Sequence, residues 1–213
     1  NACEGGHIDI VHLIMSIGYF DGINESFDEG FKYACLEGHI EIVHLIISKN
    51  VNLNLNSGLI RACKGGHIDI VNLIISKADS LKYDLDFNFG LNFACYGGNI
   101  DIVNLLISKG ANDWNGGLQY ACKNRQFDII ELMISKGAEY EYGILGACEG
   151  GHIDVFNLII SMSKYTYNGT YTELSRACGG GNLSLVKLLI SKCTNDLGGI
   201  EFCLTSACIN GHT

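Results

Sequence analysis

Basic residues, proline and long apolar runs are all scarce in this sequence. Lys and Arg number 14 against 23 Asp and Glu, a formal net charge of −9 with the seven His counted neutral, and there is no proline. A nucleic-acid-binding face needs clustered Lys and Arg, so this balance argues against nucleic acid and favours a neutral or basic partner. Apolar stretches such as 102–107 are interrupted by polar residues and fall short of the roughly 18 to 20 residues that span a bilayer. We therefore expect no membrane segment.

An internal repeat organises what is present. The pair Ala-Cys recurs eight times at intervals of 26 to 32 residues, and it is followed by a Gly-containing turn, by His or Asn in most copies, and by an apolar segment. Self-similarity at this period is typical of stacked supersecondary units that share one continuous core. The sequence therefore predicts a single repeat solenoid over 1–213, with about six full units and a partial unit at each end.

Each unit is predicted to hold two helices. In the segment "HIDIVNLIIS", Asp69, Asn72 and Ser76 fall at i, i+3 and i+7, a spacing that indicates one narrow solvent stripe on an otherwise buried helix. The preceding segment "GLIRACKGG" predicts a shorter helix whose small Ala62 and Cys63 allow close packing. Gly66 suits the left-handed residue that ends this helix.

The wording "GLxxACxxGHIDIVNLLISKGA" resembles the ankyrin repeat, and it is especially similar to ankyrin arrays encoded by giant DNA viruses of amoebae. The framework positions that carry the likeness are Leu59, Ala62, Cys63, Gly66, His67, Val71 and Leu73. The resemblance implies an all-α ankyrin-type solenoid of stacked helix-turn-helix units. It also implies that the recurring His braces the start of a helix against neighbouring backbone.

Three departures from the family pattern alter these expectations. Glycine occupies the place of the family's helix-opening proline at Gly58, Gly90, Gly117 and Gly143, which predicts first helices that are less pre-organised at their start. The short periods predict shortened or absent β-hairpin fingers. Arg125 replaces the turn glycine of one unit, so its left-handed turn is in doubt unless Asn124 takes that role.

Ten cysteines raise the alternatives of disulfides and metal sites. Eight of them follow the repeated Ala, and stacked units lie about 8–10 Å apart, farther than the roughly 7 Å between Cα atoms that a disulfide allows. We expect a column of reduced, buried thiols and hence a reducing, intracellular compartment. Cys193 and Cys203 lie off this column in an irregular connector and are the expected exposed thiols.

Motifs of catalysis and metal binding are absent. The chain has no C-x-x-C, H-E-x-x-H, G-x-S-x-G or glycine-rich phosphate loop, and its carboxylates recur once per unit as a ladder instead of a convergent pair. We predict no enzyme activity, no metal and no cofactor.

Candidate binding residues are those that vary between otherwise constant units. The residue directly after each Ala-Cys pair, here called the post-cysteine position, changes from unit to unit and resembles the ligand-facing position of ankyrin stacks. Aromatic and acidic residues of the longer connectors form a second candidate group, because rings rimmed by charge are favoured binding anchors. The predicted partner-binding residues are Leu36, Lys64, Tyr96, Lys123 and Glu149 at post-cysteine positions, and Tyr83, Asp86, Trp114, Tyr140 and Tyr142 in connectors.

The predicted function depends on repeats whose framework residues are constant and whose post-cysteine residues vary. We expect a non-enzymatic scaffold that binds a partner protein along one face of the stack. The alternative is an adaptor that recruits substrates for an attached module, such as one associated with a ubiquitin ligase. Neither end of the chain carries a polar capping unit, so we expect the sequence to be a slice of a longer array. No secretory signal is visible in the sequence.

Overall fold

The structure is a computed structural model that describes residues 2–17, 24–49, 52–163, 170–192 and 200–209. These residues form fourteen helices and no strand. The helices are α1 (Ile8–Ser16), α2 (Asn24–Glu37), α3 (Ile40–Ser48), α4 (Leu55–Gly65), α5 (Ile68–Leu81), α6 (Phe87–Gly97), α7 (Ile100–Ser108), α8 (Trp114–Lys123), α9 (Phe127–Ser135), α10 (Tyr140–Gly150), α11 (Ile153–Met162), α12 (Tyr171–Gly180), α13 (Leu183–Lys192) and α14 (Ile200–Ile209).

The helices fall into two compact units, Asn1–Asn112 and Asp113–Thr213. Helices that carry an Ala-Cys pair, here called inner helices, pack side by side: α2, α4 and α6 in the first unit, and α8, α10, α12 and α14 in the second. Most inner helices also pack on the following, outer helix. The fold class is the predicted all-α repeat solenoid, and the predicted shortening or absence of β-hairpin fingers is confirmed for the described residues.

The outer helices bury the faces that their sequence period indicates. On α5, Asp69, Asn72 and Ser76 are exposed, while Ile70 and Ile74 are at most 1% exposed. The same pattern holds on α7, where Ile102 and Leu106 are fully buried. Such burial is worth about 1.5–3 kcal/mol for each large apolar side chain, so packing more than helix propensity stabilises these short helices.

Left-handed turns join the inner and outer helices. Gly66 has φ +82°, and its N–H donates to the carbonyl of Ala62, which closes the end of α4. In the unit without a turn glycine, the left-handed residue is Arg125 itself, with φ +58°, whereas Asn124 keeps φ −121°. The expectation that only Asn124 could supply this turn was wrong. The Arg125 guanidinium pairs with Asp154 at 2.5 Å.

The inner helices begin earlier than the family pattern predicts. Gly58 is the fourth residue of α4 and not its start, and Asn54 caps the helix by accepting a hydrogen bond from the Ser57 N–H at 3.0 Å. Asp86 and Asp113 cap α6 and α8 in the same way. An Asn or Asp cap is worth about 1 kcal/mol. For α4, α6 and α8 the prediction of a less pre-organised start was therefore wrong, because side-chain caps replace the proline. Helix α10 starts without a side-chain cap.

A ladder of amide and carboxylate side chains secures the connectors. Asn56 near the start of α4 accepts a hydrogen bond from the Asp86 N–H of the next repeat at 2.8 Å. The same pairing recurs from the Asn54 N–H to Asp28, from the Asn112 N–H to Asn88 and from the Glu139 N–H to Asn115. These bonds satisfy backbone donors at positions where no hairpin is formed.

Candidate partner-binding surface

Neighbouring repeats hold the backbone of three post-cysteine positions. His67 Nε2 lies 2.9 Å from the carbonyl oxygen of Leu36, and because a carbonyl only accepts, Nε2 carries the donated proton. The same bond joins His39 to Glu4 and His152 to Lys123. The bracing role that the resemblance implies for this His is confirmed. The main-chain carbonyl is thereby held at these three positions, while their side chains differ between repeats.

In the first unit, the post-cysteine side chains of adjacent inner helices contact one another. The Lys64 ammonium lies 5.3 Å from the ring centroid of Tyr96, within the range of a cation–π interaction. Leu36, Lys64 and Tyr96 are all partly exposed. The structure therefore presents neighbouring variable residues at the carboxyl ends of α2, α4 and α6.

In the second unit, the post-cysteine residues Lys123 and Glu149 belong to an ion-pair network. The Glu149 carboxylate accepts from Gln119 at 3.0 Å, lies 3.3 Å from the Lys123 ammonium, and pairs with Arg176. The Glu149 side chain is only 18% exposed. Its charge is thus largely satisfied within the unit, so Lys123 and Glu149 offer less free charge to a partner than Lys64 does.

The second group of predicted residues lies elsewhere, at the amino ends of the inner helices. Tyr83 and Asp86 precede α6, whereas Trp114, Tyr140 and Tyr142 are in the first turns of α8 and α10 and not in connectors as predicted. Asp86, the N-terminal cap of α6, and Tyr96, near the carboxyl end of this helix, are ten residues apart, or about 15 Å at 1.5 Å per residue. The two groups therefore do not form one patch. The hydrogen bonds of Asp86 also give this residue a structural role as a helix cap.

Sequence reasoning missed residues that share the helix face of the post-cysteine positions. Arg61 precedes Lys64 by one turn, and Phe93 and Phe89 precede Tyr96 by one and two turns. A cleft of about 300 Å³ is lined by Glu29, Lys32, Ser57, Ile60, Arg61, Lys64 and Phe93, and we call it the α4 cleft. Counting back three and seven residues from each post-cysteine position would have identified most of this lining.

The thiols are buried in the middle of the chain but not throughout the predicted column. Cys35, Cys63, Cys95, Cys122 and Cys148 are buried free thiols, Cys3 and Cys178 are partly exposed, and Cys208 is exposed. Cys203 lies within α14 and is 5% exposed, so the prediction that it is an exposed connector thiol was wrong. Cys193 lies outside the described residues. In the part of the chain that the structure describes, no group of three or more His, Cys, Asp or Glu residues is placed to hold a metal ion.

Burial of these thiols predicts an alkaline loss of stability. Desolvation raises the pKa of Cys63, Cys122 and Cys148 from 9.0 to about 12 each. The folded chain keeps protons that the unfolded chain loses above pH 9, so the free energy of unfolding should fall between about pH 9 and 12. Each thiol contributes at most about 1.4 kcal/mol per pH unit. Urea titrations followed by circular dichroism at a series of pH values measure this slope.

Cys63→Ala supplies the control for that slope, because it removes one titrating thiol and leaves the Lys and Tyr groups that also titrate in this range. The variant should lose stability less steeply with rising pH, whatever its stability at pH 7. If the free energy of unfolding fell equally steeply with pH in the two proteins, the raised pKa of Cys63 would be contradicted.

Comparison with known proteins identifies the repeat. Residues 59–142 match the family model described as ankyrin repeats (3 copies). A search of the curated proteins finds no match. The narrower resemblance to arrays of giant DNA viruses stays a prediction. Within the described residues, no helix has the length and apolar character that crossing a membrane requires. Residues 59–142 of this all-α repeat solenoid are therefore similar to ankyrin repeats.

Proposed function

We propose that this protein is a non-enzymatic scaffold that binds a partner protein through the post-cysteine side chains of its inner helices. Ankyrin repeats are generally protein–protein interaction modules. The observation that carries the proposal is the contact of Lys64 with Tyr96 across adjacent inner helices, next to a cleft and beside Leu36, whose backbone carbonyl is bound by His67. Leu36 extends the proposed surface within the first unit, Lys123 is a separate candidate in the second unit, and the connector residues form a secondary group.

The net charge and the buried thiols support a narrower description of the partner and of the compartment. A net charge of −9 disfavours nucleic acid and favours encounter with a partner that is neutral or basic overall. Free thiols with strongly raised pKa values fit a reducing compartment inside a cell.

Peptide selection provides the test of this function. The chain is immobilised and used to select from a display library of random 15-residue peptides, and the selected peptides are then tested on a variant with Leu36, Lys64, Tyr96 and Lys123 all changed to Ser. We expect the variant to lose at least about tenfold in affinity, since a few exposed anchors carry most binding energy. Its helicity should be unchanged.

A matched variant carries Ser at four exposed residues of the outer helices, namely His44, Asn72, Asn104 and Glu131. This variant should bind the selected peptides as the original chain does. Selected peptides that bind both variants equally well, or a selection that enriches no peptide, would refute the proposed function.

A further inference from the structure

The α4 cleft carries unpaired positive charge in an acidic protein. Helices α4 and α6 contain Arg61 and Lys64 and no Asp or Glu. Arg61 is exposed, and among the described residues no carboxylate forms an ion pair with Arg61 or Lys64. The third cation of the cleft, Lys32, is instead paired within α2. The cleft is therefore a local cationic site on a chain of net charge −9.

The pairing of Lys32 sets the charge at the other side of the cleft. Its ammonium lies 2.6 Å from Asp28 and 2.8 Å from Glu29, and these carboxylates raise the pKa of Lys32. The Glu29 side chain remains 57% exposed. A negatively charged ligand is consequently attracted to the α4 side of the cleft and repelled from the α2 side.

An aromatic wall stands beside the two cations. Phe89 is 45% exposed, and its ring centroid lies 5.5 Å from that of Phe93 at an interplanar angle of 67°. Phe93 lines the cleft, and the Tyr96 ring lies below Lys64. Because Phe89, Phe93 and Tyr96 follow the i, i+4, i+7 spacing, they share one face of α6. Exposed rings next to cations suit a ligand that has both an apolar group and a carboxylate.

We propose that the α4 cleft binds a short acidic segment of a partner protein that also carries an aromatic or large aliphatic anchor. One carboxylate pairs with the planar Arg61 guanidinium, a second lies against Lys64, and the anchor packs on Phe89 and Phe93. This inference rests on the proposed function and adds the chemistry of the ligand. An acidic segment is compatible with a partner that is neutral or basic overall. The long-range attraction between two proteins depends on their net charges, whereas the pairing of individual charges depends on contacts within about one Debye length.

Three fluorescein-labelled 15-residue peptides test the inference by fluorescence anisotropy. The first mixes Glu and Asp with Leu and Phe, the second replaces every acid by Lys, and the third keeps the acids and replaces every apolar residue by Ser. We expect the first peptide to bind, with an affinity that falls as salt is raised, and the other two to bind at least about tenfold more weakly. Equal or tighter binding of the Lys peptide would overturn the inference.

Two variants localise the binding. Arg61→Ser with Lys64→Ser should weaken binding of the first peptide at least about tenfold. Lys77→Ser with Lys109→Ser, an equal change of charge on α5 and directly after α7, should not. Phe89→Ser should weaken the first peptide and leave the third unchanged. Far-UV circular dichroism verifies that each variant is folded. A cleft variant that binds the first peptide as well as the control does would overturn the inference.

The peptide selection described above separates the two proposals. Selected peptides that need the post-cysteine residues but lack acids would overturn the acidic ligand and leave the scaffold function standing. A selection without any peptide that depends on those residues would remove both.

Discussion

Replacing Phe31 by alanine is expected to lower the free energy of unfolding of the first unit by about 3–5 kcal/mol, the range for truncating a buried aromatic side chain. Phe31 on α2 is fully buried, and its ring occupies the place where a side chain of residue 58 on α4 would begin. Removing the ring leaves a cavity at the packing of two inner helices. Urea denaturation of the variant, compared with the exposed truncation Phe89→Ala, measures the difference.

A double-mutant cycle with Gly58 tests the reason for this effect. A Cβ added at residue 58 would lie 2.2 Å from Cε1 and 2.6 Å from Cζ of Phe31, so Gly58→Ala is destabilising while the ring is present. In the Phe31→Ala background the new methyl group enters the vacated space. We expect a favourable coupling of at least about 1 kcal/mol between the two substitutions. If the two substitutions changed the free energy of unfolding additively, the Phe31 ring would not limit the size of residue 58.

Gly146→Ala is expected to destabilise the second unit by about 3 kcal/mol, although alanine is favoured over glycine in a helix interior by about 1 kcal/mol. The added Cβ would lie 2.1 Å from the backbone carbonyl oxygen of Gln119 on α8. A backbone atom cannot rotate away as a side chain can. Helices α8 and α10 must therefore separate, with loss of the packing around Cys122.

Hydrogen exchange followed by mass spectrometry suits this prediction, because repeat proteins open locally as well as globally. Gly146→Ala should speed exchange in α8 and α10, and urea denaturation should give the loss of free energy. Glu141→Ala, at an exposed position of the same helix, should leave both measurements nearly unchanged. Protection in Gly146→Ala equal to that of the control would contradict the packing described here.

The sequence predicted the repeat and the burial of the outer helices because both depend on spacing along one chain. Polar residues every third or fourth position in "HIDIVNLIIS" indicate the exposed stripe on α5, whatever the neighbours are. The hydrogen bond from His67 to Leu36 could be predicted only from the family resemblance, because the spacing of residues does not indicate which carbonyl an imidazole will reach.

The candidate surface was predicted less completely. Post-cysteine variation indicated Lys64 and Tyr96, but not that Arg61 and Phe93 line the same cleft. The aromatic residues after the outer helices were assigned to connectors because they lie among acids. Trp114 and Tyr140 instead begin helices. Asp113 caps α8 one residue before Trp114, whereas Glu139 before Tyr140 makes no side-chain cap.

By itself, the sequence determined that this protein is built of repeated helical pairs and which face of each outer helix is apolar, because a 3.6-residue period acts within one helix. Tertiary structure alone decided the burial of Cys203, the exposure of Cys208, the left-handed Arg125 and the close approach of Phe31 to Gly58. Those features depend on the distance between helices of neighbouring repeats, which no pattern along a single helix contains.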